Sequence, residues 1–95
     1  MSLSVVATLT VKPEHRAEVI ASLIPLVAAS RAEAGCRRYL PHEDAADASR
    51  LVVVEEWESD AALEQHLAAP HFKSFGATIA GKVESVDIRR LRPLD

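Results

Sequence analysis

Between Val11 and Glu14 the spacing of apolar residues changes period, and this change constrains the fold more than any other feature of the chain. Before it, Leu3, Val5, Ala7, Leu9 and Val11 alternate with Ser4, Val6, Thr8 and Thr10. A period of two rich in β-branched residues is that of a strand. After it, Ala17, Ile20, Leu23, Ile24 and Val27 recur at three and four, the stripe of an amphipathic helix running from Glu14 to about Glu33. Pro13 opens that helix where a missing N–H costs least. Pro25 lies inside the stripe and removes a backbone donor, which predicts a kink or two shorter helices. Gly35 is predicted to stop the helix in the left-handed conformation. A chain that begins strand then helix must lay the helix on a sheet completed by later strands.

Those later strands can be read in turn. Cys36 to about Glu43 carries a weak strand signal, and Asp44 to Ser49 is polar and turn-like. Leu51 to Val54 form the clearest strand core, continuing through Glu55, Glu56 and Trp57. Ser59 is a good N-cap, and Asp60 suits the positive end of a helix. Ala61 to Ala69 reads as a short helix stopped by Pro70. Pro70 can start another, carrying Phe72, Phe75 and Ile79 and ended by Gly81. Val83 to Leu91 alternates again, with Val86 and Ile88 among charges, and Pro93 closes it. The order β-α-β-β-α-(α)-β predicts one α+β domain over residues 1–95, a ferredoxin-like sandwich with helices on one face of an antiparallel sheet. The other face is expected to carry Val52, Val54, Val86 and Ile88. A second copy is the simplest cover, in a closed two-fold homodimer.

Composition narrows the function classes. A chain of 95 residues has room for one core, which buries about 60–65% of the unfolded surface. The net charge of −3 leaves no basic excess for nucleic acid. No apolar run reaches the ~18 residues that cross a bilayer. Met1 to Val11 lacks the basic start and long apolar core of a signal peptide. These features predict a cytoplasmic domain with no membrane and no nucleic-acid partner. The single cysteine, Cys36, excludes an intrachain disulfide framework and a multi-cysteine zinc site. It reads as a small strand residue.

Four histidines are present: His15, His42, His66 and His71. His66 and His71 are separated by Pro70 and do not have the spacing of a helical two-histidine metal site, so no metal is expected. His66, beside Leu67 and three after Leu63, can point between helix and sheet. There it would act as a neutral general base, or simply pack. His71 opens a helix whose positive end favours neutral imidazole, or it caps the turn. Trp57 packs in the core, and its indole N–H could also orient a ligand oxygen. Glu55 shares Trp57's strand face and could be a base or an ion-pair partner. Arg37, Arg38, Arg89, Arg90 and Arg92 could hold a carboxylate or phosphate, or be solvated and paired with Glu84 and Asp87. There is no glycine-rich phosphate loop, no G-x-S-x-G and no dinucleotide fingerprint.

Three segments together resemble a known family. They are Glu33-Ala34-Gly35-Cys36 with Tyr39, then Glu55-Glu56-Trp57-Glu58-Ser59 with Leu63, His66 and Pro70-His71-Phe72-Lys73, and last Ile88-Arg89-Arg90-Leu91-Arg92-Pro93. From Val5 to Pro93 the chain resembles the antibiotic biosynthesis monooxygenase domain family, above all its small cofactor-independent quinol monooxygenases. The resemblance implies a dimeric α/β barrel. It also implies oxygenation of a quinol or electron-rich aromatic by dioxygen, without metal, flavin or haem. His66, Trp57 and His71 match family positions near the pocket and are the implied catalytic residues, with Tyr39 and Arg89 as weaker matches. The pocket is expected between sheet and helices, with Trp57 at its wall and Leu63, Leu67, Phe72 and Phe75 as apolar lining. Glu55 is expected to contact the substrate there. Haem-degrading relatives use an asparagine on the first strand and a histidine on the last helix. This chain has no asparagine, and Gly76 stands at the comparable helix position. Other relatives isomerise a small phosphorylated diketone, and a non-catalytic ligand-binding dimer is a third reading.

Overall fold

β1 (Leu3–Val11) is an inner strand of a four-stranded antiparallel sheet, paired on one side with β3 (Arg50–Trp57) and on the other with β4 (Val83–Leu91). β2 (Cys36–Glu43) completes the order β2-β3-β1-β4. This computed structural model describes residues 2–94. A 3-10 turn over Pro13–His15 leads into α1 (Arg16–Arg31), and α2 (Asp60–Ala68) and α3 (Pro70–Ile79) follow β3. The result is the ferredoxin-like α+β arrangement expected, with an open sheet. No helix among the described residues is long and apolar enough to cross a membrane.

Residues opposite one another in an antiparallel pair share a sheet face. Leu3, Val5, Ala7, Leu9 and Val11 form the buried row of β1, and Leu51, Val53, Glu55 and Trp57 that of β3. Val86 pairs with Leu9 and Ile88 with Ala7, so both stand on the helix side. This corrects the expectation that they share the outer face with Val52 and Val54. The charges flanking them gave no cue to which row of this edge strand faced the helices. The outer face instead aligns Leu40, Val54 and Val6 across three strands, with Val52 and Thr8 beside them.

α1 is one helix through Pro25, not two. Pro25 and Ala21 are both exposed. The carbonyl that loses its partner therefore faces water, where its loss is cheap. The buried side of α1 is Val19, Leu23, Leu26, Val27 and Ser30, whereas Ile24 and Ala17 are exposed. The apolar arc of this helix is wider than the sheet can cover, and Ile24 falls on its outer edge. Gly35 is not left-handed; among the described residues the positive φ is that of Gly81, at 79°. Gly35 is required for another reason. A Cβ there would lie 2.4 Å from the Cβ of Ala62 on α2. The same close approach lets the Gly35 carbonyl accept the Glu58 N–H at 2.8 Å.

Candidate active site

Glu55 and Trp57, two apart on β3, point to the helix side, and the Trp57 Nε1–H donates to Glu55 Oε1 at 2.9 Å. A bulge between Cys36 and Arg38 shifts the register of β2, so that Cys36 faces Trp57 and Tyr39 faces Glu55. That irregularity brings the Tyr39 ring onto the helix side, 6.3 Å from Trp57 edge-on. α2 supplies the third group. Ser59 accepts the Ala62 N–H through its Oγ at 3.1 Å and so starts the helix where expected. Leu63 and His66, three apart, then both face inward and are buried. The His66 ring lies 4.5 Å from the Trp57 ring, 5.4 Å from Tyr39 and 5.1 Å from Phe72.

Glu33, in the turn after α1, fixes this histidine. A carboxylate oxygen only accepts, so each ring nitrogen meeting it carries the proton. His66 Nδ1–H donates to Glu33 Oε2 at 2.6 Å, and His71 Nε2–H donates to the same oxygen at 2.8 Å. The second ring nitrogen of His66, Nε2, is then an unprotonated acceptor. It is buried and has no hydrogen-bond partner. The extended Ala69 between α2 and α3 turns the chain so that both histidines reach one carboxylate. Sequence spacing did not foresee that convergence. The donor atoms of Glu33, His66 and His71 lie within 4.8 Å of one another, the set among the described residues that could close on a cation. The two N–H bonds already satisfy the shared oxygen.

Burial sets the protonation of the neighbouring groups. It pulls His66 below the ordinary imidazole range, against the opposing pull of Glu33. It pushes Glu55 up to about 7, with the Trp57 N–H opposing and the Glu33 charge adding. The Tyr39 phenol is held well above its usual range by burial and by the Glu55 charge. The Cys36 thiol is raised by burial and by Glu33 and Glu55, which leaves it a poor nucleophile.

These groups border a cavity of about 260 Å³ between sheet and helices. Tyr39, Glu55 and His66 supply its polar wall, and Leu63, Leu67, Phe72 and Phe75 are part of its apolar lining. Val86 and Ile88 extend the apolar lining on β4 and are themselves partly exposed. Three expected site residues lie elsewhere. Trp57 is wholly buried behind the wall, and its N–H is committed to Glu55 instead of a ligand. His71 faces Glu33 from outside the cavity. Arg89 is exposed on the outer sheet face, bonded to Asp87 at 3.0 Å. The arginines also do not gather into one anion site: Arg90 pairs with Glu64 and Arg92 with Asp60. Glu33 is a residue of this cluster that the sequence chemistry did not single out. Its only signal was an acid beside the helix stop, within the first resembling segment.

A ferredoxin-like domain with a partly open, apolar cavity bordered by a buried imidazole has the features of a small-molecule site. The chain belongs to the antibiotic biosynthesis monooxygenase family, whose sequence pattern matches residues 2–78. It is 34% identical to the probable quinol monooxygenase YgiN of Escherichia coli, over 96% of this chain and 97% of that protein. Among solved structures it matches PA3566 from Pseudomonas aeruginosa at 38% identity and a TM-score of 0.93, covering 99% of this chain and 95% of that one. It also matches Rv0793 from Mycobacterium tuberculosis at 32% identity and a TM-score of 0.94, covering 100% and 97%.

Proposed function

We propose that this protein is a cofactor-independent monooxygenase acting on a quinol or electron-rich polyphenol with dioxygen. The observation that carries this reading is the buried, unpartnered Nε2 of His66 at the edge of an apolar cavity. A neutral imidazole held in one tautomer is a general base for a phenolic hydroxyl. An electron-rich phenolate can itself reduce dioxygen, so the protein need only bind it, take its proton and keep water away. Tyr39 and Glu55 offer polar contacts to the ring oxygens, and Trp57 positions Glu55 and His66. His71 shares the Glu33 carboxylate and helps hold it in place. The E. coli relative named as a probable quinol monooxygenase supports quinols as the substrate class.

The cavity lining carries no lysine or arginine among the described residues, which disfavours a phosphorylated diketone. Its polar wall, in place of a lining of Leu and Val alone, disfavours a non-catalytic ligand-binding dimer. The working form we propose is a homodimer paired on the outer sheet face. An oxygen-electrode screen of quinols, repeated with chelator, tests the reading. The expected result is enzyme-dependent oxygen uptake that chelation leaves unchanged, with one atom of labelled dioxygen in the product. Oxygen uptake no faster than in buffer across the screen would overturn it.

A further inference from the structure

One indole organises two proton-carrying groups. Its ring lies against His66 at a tilt of 39°, and its N–H fixes the Glu55 carboxyl. Both groups line the cavity and meet the same indole, one offering a lone pair and the other a carboxyl. Glu55 is 4% exposed, and Oε2 has no hydrogen-bond partner among the described residues. The titratable and charged groups around it are few. Tyr39 faces it from β2 with Cys36 nearby, His66 comes from α2, and Glu33 lies in the turn after α1. On β1 its pair partner is the apolar Val5. No cation is paired with it among the described residues, and burial favours its neutral form near neutral pH.

We propose that Glu55 is a second catalytic residue, the proton donor that lets the terminal oxygen of a substrate peroxide leave as water. This rests on the monooxygenase reading. His66 Nε2 takes a proton from one hydroxyl of the quinol. The quinolate gives an electron to dioxygen, and the radical pair joins through a new bond from a ring CH carbon to oxygen. Glu55 protonates the distal oxygen of the resulting peroxide anion. The Glu55 carboxylate then takes the proton from that ring carbon as the O–O bond breaks. The C–H electron pair becomes the second bond of a new carbonyl, and the O–O pair departs with hydroxide. Hydroxide takes the proton held on His66 and becomes water. Quinol plus dioxygen has become hydroxyquinone plus water, and both residues return to their starting state.

The test is Glu55→Gln, which keeps the volume and an acceptor for the Trp57 N–H but carries no transferable proton. Three quantities are read: hydroxyquinone formed, hydrogen peroxide released, and the infrared carbonyl band of a protonated carboxylic acid. We expect hydroxyquinone formation to fall about 10²-fold. Oxygen should still be consumed, now yielding plain quinone and hydrogen peroxide. The infrared band should be present in wild type at about pH 6, a pH where exposed carboxyls are ionised, and absent from the variant. A variant that matches wild type in rate and product overturns the proposal, as does a band that the substitution leaves in place. If the variant does not fold, wild type alone decides: no protonated-carboxyl band titrating between about pH 6 and pH 9 overturns it. Wild type without quinol-dependent oxygen uptake overturns the monooxygenase reading, and this proposal with it. Hydroxylation that survives Glu55→Gln overturns this proposal alone.

Discussion

Glu33 sets the tautomer of His66 and so decides which nitrogen is left as an acceptor. Burial holds that imidazole below the ordinary value, about 6.5. Its basic form therefore persists to lower pH than in a free histidine. Hydroxyquinone formation should fall on the acid side only below about 6.5, and on the alkaline side above about 7, as Glu55 loses the proton it donates. A rate that drops as pH is lowered from about 8 to about 7 would contradict this. Glu55 gives a second pH signature, in stability. Its proton is held up to about pH 7 when folded, against an ordinary 4.5. Between those values the folded state keeps a proton that the unfolded chain has lost, so stability falls as pH rises and levels above about 7. At about 1.4 kcal/mol per pKa unit the loss is up to about 3 kcal/mol. Glu55→Gln should thus melt above wild type at pH 8, and the two should converge near pH 5. Melting curves that differ equally at both pH values would contradict the buried neutral carboxyl.

At the scale of elements, the turn carrying Glu33 and the helix carrying His66 meet where Gly35 lies against Ala62. A Cβ at Gly35 would sit 2.4 Å from that of Ala62. Overpacking of this kind costs about 1–3 kcal/mol. Gly35→Ala should therefore lower the denaturant midpoint and weaken His66-dependent turnover together. Adding Ala62→Gly should restore most of the midpoint, less the ~1 kcal/mol a helical glycine costs. No recovery in the double variant would place the strain elsewhere. Elements with a strong local cause were legible in the sequence: the alternation of β1, the Ser59 cap and the restart at Pro70. What was not legible depends on pairing. The bulge that turns Tyr39 inward shows only once β2 meets β3. The facing of Val86 and Ile88 is fixed by register with β1, and their charged neighbours hid it. His66 and the apolar lining could be placed from helical spacing. The Glu33 bridge joins residues more than thirty positions apart, and no local pattern announces it.

At the scale of the molecule, the helices cover one face of the sheet and leave Leu40, Val54 and Val6 aligned on the other. A second copy would bury that row, and Val54 is central to it. Wild type should scatter light as a dimer at micromolar concentration, whereas Val54→Glu should scatter as a monomer. Wild type at monomer mass would contradict the proposed pairing. The proposed chemistry starts with His66 Nε2 acting as the base in the cavity. Quinol-dependent oxygen uptake by folded His66→Ala, set beside wild type, tests it most directly. Removing a general base lowers rates by about 10²–10⁴-fold. A loss in that range is expected with the fold and assembly unchanged, and wild-type uptake by His66→Ala would rule His66 out as the base.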